Sequence, residues 1–388
     1  MSTIKYRELK KRYELDGPVK TVRHLSEALE KKELRPEDFS LRDLAETLVP
    51  SGRDWVERMS PRNDAAVTLT ESLDGLDATA FLNLTGQLIY TKILEAYQSE
   101  TFILSKAVST IPTQLDGERI PGAAPISDEV TEIHPGMPYP HLGFGEDYID
   151  TPSTVKRGLI VPVTREAIFF DRTHLILSRA SEVGEILALN KEKRIAEMIL
   201  GLKSLYSYKG TSYSTYYSGA SGDPWANLLA SNELTGQSSV DAAENLFANM
   251  TDPNTGEPIL VESNTVLVMP AKRFTASEIF ASQKLTYSDG TLKSAANPFA
   301  DHRVISSRIA YQQLLKTDPS SGTAFGKYWY MGNFAKAFAY MENWPITVTH
   351  STAGSEADFN QDIVVRFKAS ERGTPAVLNP RYVVKCTA

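Results

Sequence analysis

Apolar residues recur every three or four positions between residues 171 and 206, and this spacing predicts one long amphipathic helix. Asp171 is a suitable N-cap at its start. A helix of this length would extend about 50 Å and would serve as the backbone of a flat or elongated molecule. Its apolar face consists of Ile176, Ala180, Val183, Leu187, Ile195, Ile199, Leu202 and Tyr206, and its charged face carries Arg179, Glu182, Glu185, Glu192, Lys193 and Glu197.

Glycine and proline cluster in residues 105–165, and their density excludes long helices there. The segment predicts a long extended loop, and loops of this length are usually functional or disordered. Its flanks, residues 105–115 and 148–163, are rich in β-branched side chains. The pattern therefore predicts a protruding two-stranded finger.

Shorter patterns predict the elements that precede this loop. Residues 1–60 are dense in charge and carry apolar residues near helical spacing, so two or three short helices are expected, with Ser40 capping one of them. A further helix is expected to end near Gln98, and residues 102–104 are expected to form a strand.

The second half of the chain predicts an α/β unit followed by strands. In residues 239–282, a buried strand at 266–269 precedes a helix that Pro270 opens. Near the C-terminus, residues 328–341 predict a hairpin that turns at Gly332, since glycine suits the first loop position of a type II′ turn. Residues 371–375 predict another turn between the last strands.

Composition limits the class of protein. The chain has 388 residues and a formal net charge of −7, so two or three structural units are expected. The charge argues against coating nucleic acid through a broad basic surface, but not against a container that encloses it. No apolar run approaches the ~20 residues that span a bilayer, so a cytoplasmic protein without membrane contact is expected. The single cysteine, Cys386, excludes an intramolecular disulfide and a cysteine-rich zinc site.

Two segments contain residue types suited to chemistry or contacts. His134 and His141 share the loop with Glu146 and Asp147, but their spacing matches no zinc motif. A soluble enzyme that uses the loop from His134 to Asp147 is therefore only an alternative hypothesis. The Ser-, Tyr- and Gly-rich residues 207–223 are typical of an adaptable contact loop or of an ordinary surface loop.

The order of these elements resembles the major capsid proteins of tailed bacteriophages with the Hong Kong 97-type fold, which is an α+β fold. The resemblance rests on Arg157-Gly158 through Arg165-Glu166-Ala167 before the long helix, on residues 266–270 followed by a helix, and on residues 359–372. It covers residues 100–388 well and the first 100 residues poorly.

The resemblance implies a division of the chain into domains. It assigns a long spine helix and the final strands to a peripheral domain, and it treats the charged N-terminal extension as scaffold-like. The implied ranges are 1–60 for the extension, 61–104 for an N-terminal arm, 105–165 for an extended E-loop, 166–209 and 325–388 for the peripheral domain, and 210–324 mainly for an axial domain.

The resemblance also implies a structural, non-enzymatic subunit without cofactor or metal, which assembles in the host bacterial cytoplasm and resides in the virion. Its partners would be copies of itself in pentamers and hexamers, a portal protein, and a scaffold, maturation protease and decoration protein, around double-stranded DNA that is not read by sequence. The expected intersubunit contacts are Asp116, Glu118, Arg119, His134, His141, Lys156, Arg157, Tyr213, Tyr216 and Tyr217.

Two features qualify this reading. Some capsids of this type join an E-loop lysine to a neighbour's asparagine, but here only Lys106 and Lys156 lie at the ends of the loop. Non-covalent contacts are therefore expected. An encapsulin-like compartment shell is the alternative with the same fold, and the long N-terminal region weighs against it.

Overall fold

A computed structural model describes residues 15–16, 20, 23–24, 27–28, 31, 40–48, 52–58, 75–123, 146–252, 256–282, 284–288, 292–351 and 363–388. The chain forms two compact units. The first unit comprises Met1–Thr101, Lys156–Asn190 and Trp344–Arg372, and the second comprises Phe102–Val155, Lys191–Asn343 and Gly373–Ala388.

Helices and strands occur together throughout the described residues, so the predicted α+β class is confirmed. The helices are α1 (Leu41–Leu48), α2 (Gly52–Arg58), α3 (Gly75–Tyr97), α4 (Arg165–Phe169), α5 (Thr173–Ile199), α6 (Gln237–Ala248), α7 (Arg273–Ala281), α8 (Arg308–Thr317), α9 (Gly322–Phe325) and α10 (Phe334–Ala337), with short 3₁₀ turns at Pro270–Lys272, Pro319–Ser321 and Pro380–Tyr382. Within the described ranges, no helix is both long and apolar enough to cross a membrane.

The strands of the described residues belong to four sheets. They are β1 (Ser109–Pro112), β2 (Arg119–Ala123), β3 (Glu146–Asp150), β4 (Val155–Thr164), β5 (Tyr206–Tyr208), β6 (Thr211–Tyr213), β7 (Leu228–Leu229), β8 (Thr265–Val268), β9 (Lys284–Ser288), β10 (Leu292–Ala296), β11 (Arg303–Ser306), β12 (Trp329–Gly332), β13 (Phe338–Ser351), β14 (Ile363–Val377) and β15 (Val383–Cys386). The strand orders are β1-β13-β14-β4, β10-β9, β11-β8-β12-β15-β7 and β2-β3-β5-β6.

The core of the first unit packs α3 and the beginning of α5 against one face of a sheet. Ile93 of α3, Ala180 of α5 and Phe367 of β14 are all fully buried in it. The two helices approach so closely that a Cβ at Gly184 would lie 2.3 Å from the carbonyl oxygen of Ile93. Glycine at this position therefore permits the backbones to touch.

The predicted long helix is confirmed, but both of its ends differ from the prediction. Asp171 precedes the helix in a left-handed conformation, with φ 50°, and its carboxylate accepts hydrogen bonds from the hydroxyls of Ser40 and Thr173 at 2.7 and 2.8 Å. The helix spans 27 residues, or about 40 Å. It ends at Ile199 because Gly201 adopts φ 69° and closes a Schellman motif, in which the amides of Gly201 and Leu202 bond to the carbonyls of Met198 and Glu197.

The N-terminal prediction is confirmed where residues are described. The hydroxyl of Ser40 accepts the backbone N–H of Asp43 at 3.1 Å and so caps α1. Buried residues of α1 and α2 belong to the core of the first unit. Most of residues 1–39 lie outside the described residues.

The second unit is built on the five-stranded sheet, and its central strands are apolar on both faces. β8 pairs in parallel with β11 and antiparallel with β12, which in turn pairs antiparallel with β15. Leu267 and Tyr330 face one cluster of buried side chains, and Val268 faces another. A continuous apolar run is the expected signature of such a two-sided strand, and the predicted strand and the helix after Pro270 are confirmed.

The same sheet contains strands that the resemblance placed in different domains. β8 falls in the range assigned mainly to the axial domain, whereas β12 and β15 fall in the range assigned to the peripheral domain. All three lie in the second unit.

The hairpin predicted at residues 328–341 is wrong. β12 pairs with β8 and β15, and α10 separates it from β13. Asn333 begins α10 because its side chain accepts the N–H of Lys336 at 3.2 Å. Gly332, with φ 149°, is needed because a Cβ there would lie 2.1 Å from the carbonyl oxygen of Tyr382.

The turn predicted at residues 371–375 and the strand predicted at 102–104 are also wrong. β14 runs without a break from Ile363 to Val377. Gly373 lies within this strand. The position requires glycine because a Cβ there would lie 2.7 Å from the carbonyl oxygen of Met341. Residues 102–104 form no strand, and the N–H of Leu104 bonds to a carboxylate instead.

Substituting Gly184 with alanine is expected to destabilise the protein, although alanine normally stabilises a helix relative to glycine by about 1 kcal/mol. The added methyl would collide with the backbone of Ile93, and overpacking of this kind costs about 1–3 kcal/mol. Thermal unfolding of the full chain measures the loss.

Gly326→Ala is the matched control. A Cβ at Gly326 meets no atom nearer than 3.5 Å, and φ there is −62°, so its unfolding midpoint is expected to stay at the wild-type value. A Gly184→Ala protein as stable as this control would contradict the close helix contact.

Candidate intersubunit surface

The two arms of the Gly- and Pro-rich segment pair with each other in the second unit. β2 and β3 are antiparallel, from Arg119 opposite Asp150 to Ala123 opposite Glu146. The predicted pairing of two strands in this segment is confirmed for β2 and β3, which we call the stem. The predicted flanks are wrong in part, because β1 pairs with β13 and β4 pairs with β14. Residues 124–145, including the predicted contact residues His134 and His141, lie outside the described residues.

Two predicted contact residues hold the chain just outside the stem. Asp116 accepts hydrogen bonds from the backbone N–H and the hydroxyl of Thr154, at 2.7 and 3.0 Å. The Glu118 carboxylate accepts the hydroxyl of Thr113, and the Glu118 backbone pairs with Thr151. Both carboxylates are thus engaged within the chain, where they fix the course of the backbone into and out of the stem.

Arg119 lies on the surface of the stem. Its Nε donates to Asp150 at 2.9 Å, and its guanidinium carbon lies 4.2 Å from the ring centre of Tyr148. The side chain is nevertheless 64% exposed. These contacts orient Arg119 and leave it accessible to another molecule.

A second cationic grouping lies in the first unit. Lys156 Nζ and the guanidinium of Arg372 each lie 5.5 Å from the ring centre of Trp344. Lys156 is exposed and Arg157 is half-buried. Sequence reasoning did not single out Trp344, whose aromatic face attracts both cations.

The predicted contact tyrosines lie in an aromatic cluster within the chain. Tyr213 and Tyr217 surround the ring of Trp225 with centroid distances of 5.8 and 5.1 Å, and Arg381 lies 4.7 Å from its centre. Tyr206 completes the cluster at 5.6 Å, and burial raises its pKa to about 12. The Tyr-rich segment also supplies β5 and β6, which extend the stem into a four-stranded sheet.

Tyr216 is a core residue. It is 9% exposed, its hydroxyl donates to the carbonyl of Ile199 at 2.5 Å, and burial raises its pKa well above the ordinary value. The Tyr216 side chain therefore packs within its own chain, unlike the surface contact residue that the sequence predicted. Trp225, an aromatic residue just beyond the tyrosines in sequence, is the feature that would have indicated an aromatic cluster within the chain.

Glu192 holds the point at which the chain enters the loop segment. The sequence places it on the polar face of the long helix, but it is 1% exposed. Its carboxylate accepts the backbone N–H groups of Leu104 and Ser105 at 2.7 and 2.9 Å. Burial raises the pKa of this carboxyl above its ordinary value, although the hydrogen bonds from Leu104 and Ser105 act in the opposite direction.

One serine–histidine–glutamate grouping in the second unit lacks the geometry of a hydrolytic triad. The Ser263 hydroxyl donates to Glu244 at 2.5 Å and lies 2.9 Å from Nε2 of His302. The other ring nitrogen faces the carbonyl of Phe299 at 3.1 Å. The carboxylate therefore contacts the serine. In a hydrolytic triad the carboxylate instead bonds to the histidine and orients it. Among the residues that the structure describes, no group of three or more His, Cys, Asp or Glu is arranged to hold a metal.

A protein-family model described as phage capsid protein matches residues 148–386. No curated protein matches the sequence. Among solved structures, the chain is similar to a virus-like particle from Pyrococcus furiosus, with 12% identity over 76% of this chain and 96% of that chain and a TM-score of 0.39.

Two phage proteins show similar values. A protein of Mycobacterium phage Ogopogo has 14% identity over 74% of this chain and 91% of its own, with a TM-score of 0.41. The capsid structure of the cyanophage P-SCSP1u has 13% identity over 73% and 86%, with a TM-score of 0.42.

Replacing Glu192 with glutamine is expected to remove a pH dependence of stability. Because the carboxyl has a higher pKa in the folded chain, the folded chain keeps a proton that the unfolded chain releases near pH 4.5. The free energy of unfolding of the wild type therefore falls as the pH rises from about 4.5 through the raised pKa. Urea titrations across this range should show the fall in the wild type and its absence in Glu192→Gln.

Glu95→Gln is the matched control, because the Glu95 side chain is 47% exposed. The fall in stability that Glu192 causes should persist in this variant. Identical profiles for the wild type and Glu192→Gln would show that the buried carboxyl does not titrate differently in the folded chain.

Proposed function

The chain belongs to a phage capsid protein family and is a structural subunit of a capsid shell, and we propose that its copies form the pentamers and hexamers of an icosahedral head. The observation that carries the proposal is the family match over residues 148–386, which extends through β3, α5, the five-stranded sheet and β15. Self-association into a lattice and residence in the virion follow from membership of the family.

The finer properties of the shell form part of the same proposal. The subunit adopts the Hong Kong 97-type arrangement, assembles in the host bacterial cytoplasm and encloses double-stranded DNA without reading its sequence. Portal, scaffold, maturation protease and decoration proteins are the partners of such a head. The subunit works as a structural element, without catalysis, because repeated weak contacts add up through symmetry.

Residues 105–165 supply the E-loop in this proposal, which lies on an adjacent subunit. The length of the segment supports this role. Since Ala123 pairs with Glu146, two residues would suffice to connect the stem strands, yet the chain inserts residues 124–145 there. The stem is held by Asp116 and Glu118 on the chain's own threonines, so it presents the inserted residues from a fixed base.

Arg119 and Lys156 are the predicted contact residues whose exposure best supports a role between subunits. Both are exposed, and each is oriented by an aromatic ring. Glu118 and Asp116 act indirectly, because they fix the backbone next to Arg119. The alternative of an encapsulin-like compartment makes the same use of these residues and differs in what the shell contains.

Negative-stain microscopy of the purified protein is expected to show closed shells. Nucleic acid inside shells from infected or induced cells supports a phage head, whereas a protein cargo supports a compartment. A persistent monomer under all conditions, including with a scaffold protein present, would contradict the shell assignment.

Replacing residues 124–145 with Asn-Gly is expected to abolish shell formation while preserving the fold. The two-residue turn suits the pairing of Ala123 with Glu146, so the thermal unfolding midpoint should stay near the wild-type value. Light scattering and microscopy should show small oligomers only.

A Gly/Ser linker of the original length is the companion variant. If the side chains of the loop make the contacts, the linker variant also fails to assemble, and if the length alone matters, it assembles. Wild-type shell yield from the Asn-Gly variant would show that assembly does not need the loop, and the family assignment would still hold.

A further inference from the structure

One stripe of α5 in the first unit exposes two large apolar residues with a charge pair between them. Leu175 is 50% exposed and Ile186 is 46% exposed. Arg179 and Glu182, which lie between them on the helix, form an ion pair at 2.7 Å with side chains that are 66% and 52% exposed. Large apolar side chains exposed together mark a contact surface.

This stripe forms part of the wall of a groove. The groove has a volume of about 410 Å³ and lies between α5 and β4. The β4 side contributes Leu159 and Ile160, which are 36% and 55% exposed. An apolar centre with charges beside it is the usual composition of a protein–protein interface.

The order of residues along the stripe is self-complementary. Leu175, Arg179, Glu182 and Ile186 are spaced four, three and four residues apart, so they share one side of the helix. Read from either end, the stripe runs apolar, charged, charged, apolar, and the two charges have opposite sign. A two-fold axis between Arg179 and Glu182 therefore places each side chain opposite a suitable one.

We propose that this stripe of α5 packs antiparallel against the same stripe of a second copy of the chain, around a local two-fold axis of the shell. Leu175 then contacts Ile186 of the partner subunit, and Arg179 pairs with Glu182 of the partner subunit. The inference rests on the proposed function, since it names one contact by which shell subunits associate.

The charges set the register and the direction of this packing. Within one helix, an exposed ion pair contributes little to stability because water screens it. Across an interface, the same charges disfavour any register that brings like charges together. A parallel arrangement in register would place Arg179 against the partner's Arg179 and Glu182 against the partner's Glu182. The apolar contacts supply the attraction, and the charges select the antiparallel arrangement.

Charge reversal in trans tests the contact. Arg179→Glu alone places a carboxylate opposite the Glu182 carboxylate of the partner subunit. Glu182→Arg alone places a cation opposite the Arg179 cation of the partner subunit. Each variant is expected to form shells at least tenfold less efficiently than the wild type at equal concentration, measured by light scattering and microscopy. Mixing the two variants should raise the yield several-fold above either alone, because each then supplies the other's missing charge.

The rescue by mixing separates this contact from a role within one helix. Each variant breaks its own intrahelical pair whether or not the other is present, so a purely intrahelical effect cannot be rescued in trans. Glu95→Arg is the matched control: it breaks the Lys92–Glu95 pair, also three residues apart, on α3. It should assemble like the wild type.

Cysteine cross-linking gives an independent readout, because the single native cysteine, Cys386, is buried. Mixing Leu175→Cys with Ile186→Cys protein under mild oxidation is expected to give a disulfide-linked dimer of the two variants, whereas oxidation of Leu175→Cys alone should give far less.

The outcomes also separate this inference from the proposed function. If the wild type forms shells and the charge variants do so equally well, or mixing gives no rescue, the two-fold contact is overturned and the shell assignment stands. If the wild type forms no shells under any condition, the shell assignment itself fails.

Discussion

The geometry of the loop segment depends on the hydrogen bonds that the buried carboxylate of Glu192 accepts. This carboxylate lies on α5 and receives two backbone N–H groups, from Leu104 and Ser105, at the point where the chain leaves the helical N-terminal region. An apolar residue at this position would leave the buried N–H of Leu104 without a partner, at a cost of about 1–3 kcal/mol, and would also release the half-buried N–H of Ser105. The chain is thus fixed before β1 begins, and the pairs of Asp116 with Thr154 and of Glu118 with Thr113 continue the constraint up to the stem.

The sequence predicts features that lie within one element and misses those that depend on a close contact between two backbones. Periodic apolar residues predicted α5, and the apolar run at β8 predicted a buried strand, since each pattern lies within a single element. Gly332 and Gly373 suggested turns, but both lie where another backbone approaches within 2.7 Å of the Cβ position. Glycine serves a turn and a close approach equally well. Only the three-dimensional neighbours, Tyr382 and Met341, distinguish the two.

The candidate surface was predictable to the same limited degree. Arg119 and Lys156 were predicted as contact residues because they are charged and lie in a recognisable loop, and both are exposed. Tyr213, Tyr216 and Tyr217 suggested a contact loop by composition, yet their partners are Trp225 and the end of α5 within the same chain. Tyrosine serves interfaces and cores alike. Glu192 was assigned to the polar face because helical periodicity does not show which other segment covers that face.

A shell subunit requires contacts that are individually weak, because subunits must exchange before the lattice closes, yet specific, because errors accumulate with every added copy. An apolar pair combined with an exposed ion pair meets both requirements. A contact of four residues per subunit dissociates readily, and like charges oppose each incorrect register. Two-fold symmetry then uses every favourable residue twice, since Leu175 meets Ile186 on both sides of the axis. The self-complementary order of four residues on one side of α5 thereby specifies a two-fold contact of the assembly, without a dedicated binding domain.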